Sequence, residues 1–353
     1  MKTKHYLIFL IVFVFYLLHF IIGFKNVYNN LLNFHIFSDY TYYYLNWINN
    51  IQLPFIYNNT NFHYMPFFLL LLKLFWFEPS ILWPIFSIIN FYYLNKIKKI
   101  ELELYFLNPI ILLYCFYSLM NPIFYTTFLT ISIYYYINQK YKQSFLFLGI
   151  SIMFKQFSIL YFILLALNLI HKTNFKFTLK KIIYTFIPLL SFFIFIKNLN
   201  DIKNILNDGF ALPVTNFTYS FNLGVILNTI LYFFNLQFLT IIIFIISLII
   251  IYLKNYKTND IIYSILMIQF IFYIFYSRGI FKYYLIESLP FLLLRIKNKN
   301  WITLLSFIFC ILNIYISFFI LILIFKYLIN KEENLNENKQ KNIIPHIMAT
   351  KCC

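Results

Sequence analysis

The sequence predicts an all-α fold, a polytopic transmembrane helical bundle of about 10 to 12 spans, and three observations carry that prediction. The hydrophobic set makes up 62% of the 353 residues while Asp, Glu, Lys and Arg make up only 11%. An ordinary soluble domain carries about twice that charge, so a water-facing surface cannot be built from this composition. The charges fall in bunches between long apolar runs, and the basic residues are distributed unequally between alternate loops. A soluble enzyme, a nucleic-acid binder and a disordered scaffold are thereby excluded. The net charge of +17, from 28 Lys+Arg against 11 Asp+Glu, points to basic cytoplasmic loops rather than to a polyanion partner.

About 17 to 25 apolar residues are needed to cross a bilayer. The first run, Tyr6 to Phe24, follows Lys2 and Lys4 and has no small-residue cleavage site behind it, so it reads as a retained first helix. Residues 25–65 then form an outer loop. Further runs are Phe67 to Leu94, Leu104 to Met120, Ile123 to Ile137, Ser144 to Phe154, Gln156 to Ile170, Ile182 to Ile196, Leu236 to Leu253, Ile261 to Ser277, Phe281 to Leu294 and Trp301 to Phe325. Phe67 to Leu94 contains Glu78 and Pro79, which predicts one kinked helix or a hairpin of two, and Leu223 to Phe234 adds a short or re-entrant segment. With a cytoplasmic N-terminus and a single crossing by Phe67 to Leu94, sixteen basic residues face the cytoplasm and six face outward, leaving aside Lys73 and the tail. The sequons at Asn58 and Asn216 both fall in loops assigned outward. Residues 1–329 thus form the membrane domain, and 330–353 form a disordered polar tail. Its closing Lys351-Cys352-Cys353 is weighed as a chance ending rather than a lipidation signal. The four cysteines make no disulfide framework, and five glycines make no phosphate loop.

An ionisable residue in or beside a membrane bundle is a functional candidate by default. Asp39 is the first, and it is the sole acid among the first 77 residues. If it opens a short helix, Tyr40, Tyr43, Tyr44 and Trp47 share one face, suited to the headgroup layer, and Tyr42, Asn46, Asn49 and Asn50 share the polar side with Asp39. The plainer alternative is a helix N-cap. Lys155 interrupts an apolar run of about 27 residues, where an unpaired ammonium costs at least ~2.5 kcal/mol. A hairpin that brings it to the outer surface removes that expense; ordinary snorkelling is the alternative. Arg278 and Lys282 lie four apart, and Glu287 follows, able to orient either or to cap a helix.

The order of short motifs adds a resemblance. Asp39 is followed by Leu53-Pro54-Phe55-Ile56-Tyr57 and by Phe62-His63-Tyr64-Met65-Pro66-Phe67. Asn108-Pro109, Asn121-Pro122, the stretch Gly149 to Phe157 with its Lys155, and the stretch Tyr276 to Leu285 ahead of Pro290 come next. This pattern, spread over most of residues 1 to 300, resembles the GT-C superfamily of polyprenol-phosphate-sugar-dependent glycosyltransferases, and most of all its family 87 and GPI-mannosyltransferase-like branch. Met65 stands where that branch has the first of two prolines. The acid-x-acid form common in GT-C enzymes is absent, since Phe37 and Thr41 flank Asp39 at two residues' distance.

The resemblance implies a membrane hexosyltransferase that moves mannose or glucose from a polyprenyl or dolichyl phosphate to a glycan, glycolipid or protein acceptor on the outer or luminal side, with inversion. It implies the plasma membrane of a prokaryote or the endoplasmic reticulum of a eukaryote, and no nucleic-acid partner. Such chemistry needs a base, for which Asp39 stands, and fixed cations at the departing phosphate, for which Lys155, Arg278 and Lys282 stand. Tyr40, His63, Tyr64, Tyr283 and Tyr284 are candidates to contact the sugar or the prenyl chain, with an interfacial aromatic belt as the alternative. No cofactor is certain; a divalent metal at His35, Asp39 and His63 is weighed against solvated histidines. A transporter or flippase for lipid-linked glycans, or a non-catalytic subunit of a glycan-assembly complex, are the rival functions.

Overall fold

The computed structural model describes residues 2–22, 40–53, 56–57, 64–197, 201–202, 221–236, 238–276, 282–296, 299–311, 317–319 and 321–323. Among these residues the fold is all-helical, without a strand. Two helices are long and apolar enough to cross a membrane, Phe175–Ile194 and Phe238–Asn255. Two bent pairs raise the number to four if each counts as one span, and shorter apolar helices accompany them.

The bends have chemical causes. Helix α1 is Lys2–Ile22, α2 is Leu45–Asn50, α3 is Pro66–Leu74 and α4 is Leu82–Ile97. The segments Pro66–Leu74 and Pro79–Ile97 meet at 116°. Pro79 excludes helical geometry from the residue before it, and Glu78 accordingly sits at φ −157°, ψ 75°. The run from Phe67 to Leu94 therefore does not cross as a single helix. Likewise the run from Leu104 to Met120 is broken: α5, Leu102–Phe106, stops ahead of Asn108-Pro109. The Asn108 side chain accepts from the Ile110 N–H at 3.0 Å and starts the next turns, whose Ile111–Tyr117 stretch is π-helical. These meet α6, Pro122–Ile137, at 114°, with Pro122 in the first turn, where a missing N–H does no harm.

The remaining helices are α7, Tyr141–Phe154, α8, Ile159–Lys172, α9, Phe175–Leu190, α10, Leu223–Tyr232, α11, Phe238–Asn255, α12, Ile261–Phe275, α13, Leu285–Arg295, and α14, Lys299–Ile311. Close approach of α7 and α9 depends on Gly149, where an added Cβ would lie 2.3 Å from the Thr185 carbonyl oxygen. Small residues are what let helices meet where no hydrophobic effect pushes them together. On α9 and α11, Ile183, Ile187, Leu190, Ile249, Ile250 and Leu253 are all exposed, an apolar periphery suited to lipid rather than to water.

Polar contacts sort the helix termini into two ends. At the end carrying most of the basic residues, Lys4 pairs with Glu103, Lys98 donates to the Leu294 carbonyl at 2.8 Å, and Arg295 pairs with Asp260. There too, Asn168 donates to the Tyr256 and Thr258 carbonyls, and the Lys4 ammonium holds the Glu103 carboxyl below the ordinary carboxylate range. At the other end, Trp83 donates to the Met120 carbonyl and Asn222 to that of Tyr276. The sequons at Asn58 and Asn216 and the tail from 330 onward lie outside the described residues.

Candidate anion site at one end of the bundle

Helix α7 ends at Phe154, and Lys155 follows in extended geometry, φ −154°, ψ 126°, before a 3-10 turn at Gln156–Ser158 leads into α8. The reversal is tied by side chains: Ser151 Oγ donates to the Tyr125 carbonyl at 2.7 Å and lies 2.7 Å from Ser158 Oγ. Lys155 is thus at a helix break, as a hairpin requires, but it is neither surface-facing nor snorkelling, with only 4% of its surface exposed. The reason is a ring enclosure. Its Nζ is 4.5 Å from the centre of the Tyr284 ring and 5.2 Å from those of Tyr125 and Phe157. Desolvated cation–π contacts of this kind contribute about 2 kcal/mol.

Glu287 is a second buried ionisable residue that meets Tyr125. It occupies the first turn of α13, where the helix dipole favours an anion, and is 2% exposed. Tyr125 donates its hydroxyl to Oε2 at 2.7 Å and Tyr161 donates to Oε1. Gln269 donates to the Glu287 carbonyl, and Tyr273 donates to the Tyr284 carbonyl at 2.9 Å, which ties α12 to the same knot. The Glu287 carboxylate, expected to orient Lys282 or Arg278 or to cap a helix, is held by two phenols, and Arg278 lies outside the described residues. Lys282 turns instead to α14, donating to the Cys310 carbonyl at 3.1 Å. Tyr283 and Tyr284 stack on one another at 5.0 Å.

The outer-loop segment reaches the same end. A π-helical turn at Tyr40–Tyr44 continues into α2, directly after the position of Asp39. Asn46, Asn49 and Asn50 are exposed, as the polar side predicts, but the aromatic side does not lie in a headgroup layer. Tyr40, Tyr44 and Trp47 are buried, and Tyr40 and Tyr44 pack on Trp83 of α4 and Phe68 of α3. Tyr40 meets the rings of His19 and Trp83 edge-on, and its hydroxyl is pushed well above the ordinary phenol range, chiefly by burial. Tyr64, half-buried, meets Trp47 and receives at its carbonyl the hydroxyl of Tyr57. An aromatic chain then links the loop to Lys155: Tyr44 to Phe68 at 4.9 Å, Phe68 to Phe124 at 5.4 Å, and Tyr125 beneath Lys155.

Of the expected site residues, Tyr40, Tyr64, Lys155, Lys282, Tyr283 and Tyr284 gather at this end, while Asp39, His63 and Arg278 lie outside the described residues, as does His35. No group of three or more His, Cys, Asp or Glu able to hold a metal occurs among the described residues. Two acids escaped the sequence reading. The phenol-bound role of Glu287 depends on contacts 126 and 162 residues distant, which no local pattern reveals. Asp201, buried near Tyr57, accepts from the Lys197 N–H at 2.8 Å. No protein family, curated protein or solved structure matches the chain.

Proposed function

We propose that the chain is a multi-pass, GT-C-type membrane glycosyltransferase of 10 to 12 spans that uses a polyprenyl or dolichyl phosphate sugar, with the phosphate received at the Lys155 end of the bundle. The observation that carries the reading is the arrangement of a buried lysine, Lys155, at a helix reversal. It joins through one aromatic layer to the segment that begins immediately after Asp39. A charged group is expensive in such surroundings and persists where it serves a ligand.

In the proposed reaction the acceptor hydroxyl oxygen bonds to the anomeric carbon from the face opposite the lipid, as the bond from that carbon to the phosphate oxygen breaks. Asp39 takes the hydroxyl proton, and the bonding pair leaves with the phosphate, whose added charge Lys155, Lys282 and Arg278 stabilise. A fixed cation or donor at such a position is worth roughly 10² to 10³ in rate. The prenyl chain is assigned to the apolar face that Leu285, Leu289 and Leu292 of α13 turn toward α14. Mannose and glucose are the proposed sugars, and endoplasmic reticulum or prokaryotic plasma membrane the proposed location.

A lipid-linked-glycan transporter has one observation in its favour, the two sharply bent helix pairs, since interrupted helices line transporter sites. One experiment separates the readings. Purified protein in lipid vesicles is given radiolabelled polyprenyl phosphate mannose or glucose and a panel of glycan, glycolipid and peptide acceptors. Label should move to an acceptor, and Asp39→Asn should lower the rate by about 10² or more. Undiminished transfer by the variant removes Asp39 as base, and lipid translocation without transfer selects the transporter.

A further inference from the structure

A second polar cluster lies at the end of the bundle where Trp83 holds the Met120 carbonyl, and the proposed reaction makes no use of it. Glu78 stands at the bend between α3 and α4, half-buried, just ahead of the buried Pro79 and Ser80. The Ser80 hydroxyl donates to Glu78 Oε1, and the Tyr16 hydroxyl meets Ser80 Oγ. A serine has one hydroxyl proton, so Tyr16 is the donor to Ser80, and both hydroxyls are directed toward one oxygen of the carboxylate. Among the described residues no donor reaches Oε2 and no cation pairs with Glu78. The nearest lysine in sequence, Lys73, donates to the Ile48 carbonyl at 2.7 Å instead. Trp76 and Phe77, just before the carboxylate, are largely exposed.

The cluster is continuous with the segment that follows Asp39. Tyr16 and His19 lie three apart on α1, and both rings meet Phe20 edge-on. His19 donates to the Tyr117 carbonyl at 2.9 Å and meets the Tyr40 ring at 5.2 Å. Tyr40 meets Trp83, and Trp83 meets Phe124 at 4.9 Å, one residue before the Tyr125 that lies beneath Lys155.

We propose that Glu78, backed by Ser80 and Tyr16, is a subsite for a saccharide and grips two of its adjacent hydroxyls. A carboxylate presents two acceptor oxygens side by side, and neighbouring hydroxyls of a sugar ring can donate to both. Hydrogen bonds to a charged acceptor are about twice as strong as neutral ones, and partial exposure lets the ligand's hydroxyls take the place of water. The exposed rings suit the same ligand. Recognition sites join aromatic surface to a few fixed polar groups, and a sugar offers an apolar C–H face with a polar edge. The inference rests on the glycosyltransferase reading for one point, that the saccharide is the acceptor. Glu78 binds it and takes no part in the bond changes.

The test titrates the full-length protein, in a sugar-free detergent, with the methyl glycosides of mannose, glucose, galactose and N-acetylglucosamine, read by saturation-transfer NMR, with ethanolamine as a separate arm. At least one glycoside should bind, and Glu78→Gln should weaken it about tenfold or more. Among deoxy forms of that glycoside the loss should concentrate at two adjacent positions, because a site built for a hydroxyl rejects the analogue that lacks it. Tyr16→Phe removes the far end of the hydroxyl relay, leaves the carboxylate in place, and should weaken binding several-fold; it decides the matter if Glu78→Gln does not fold. Glycosides that fail to bind, or that bind both variants as they bind the wild type, overturn the proposal. Glu78-dependent binding of ethanolamine without binding of any glycoside overturns it in favour of an ammonium site. Sugar transfer separates this proposal from the reading it builds on. If the wild type transfers label and Glu78→Gln keeps the same KM for the acceptor, the subsite falls and the transferase stands. Glu78-dependent glycoside binding without transfer to any acceptor keeps the saccharide site and strikes the transferase.

Discussion

Tyr125 meets two buried ionisable groups at once, giving its hydroxyl to Glu287 and its ring face to Lys155, which explains why an aromatic residue with a hydroxyl stands there. Tyr161 gives the second hydroxyl to Glu287. Tyr161→Phe leaves that buried oxygen short of a donor, which costs about 1–3 kcal/mol. A lower thermal unfolding midpoint in detergent is expected, and an unchanged midpoint would contradict the contact.

Among the elements, helix breaks shape the site more than helices do. Pro79, Pro109 and Pro122 interrupt apolar runs that hydropathy alone would draw as straight spans. Lys155 sits at a fourth break without a proline of its own, held by the Ser151 and Ser158 hydroxyls. The rigid backing is the contact of α7 with α9. Gly149→Ala would set a methyl against the Thr185 backbone, which cannot rotate away, and the two helices must part. A destabilisation of about 1–3 kcal/mol is expected. Thermal unfolding checks it, and an unchanged midpoint would mean that the two helices do not approach this closely.

At the scale of the whole molecule, composition made the helical, lipid-facing architecture legible, and Glu78-Pro79 announced one of its bends. Asn108-Pro109 was legible as a motif but not as a break, because the surrounding apolar run hides it. The helical start after position 39 could also be read in advance. Its inward packing could not, since the rings that receive Tyr40 and Tyr44 belong to Phe68 and Trp83, far along the chain. The burial of Lys155 escaped for a different reason: two of the rings that enclose it, Tyr125 and Tyr284, are distant in sequence, and spacing rules reach only three or four residues. Helix termini expected in the cytoplasm touch one another through Lys4, Lys98 and Arg295, and the candidate site lies at the opposite end.

That sidedness is what the proposed chemistry requires, because the sugar donor and acceptor meet outside the cytoplasm. Single cysteines placed at Asp39, Lys99 and Lys257, with Cys352 and Cys353 replaced by serine, can be labelled in sealed, right-side-out vesicles by a maleimide that does not cross membranes. Position 39 should react at once, and positions 99 and 257 only after permeabilisation. Labelling of 99 or 257 from outside, with 39 protected until the vesicles are opened, would place the site in the cytoplasm and contradict the account.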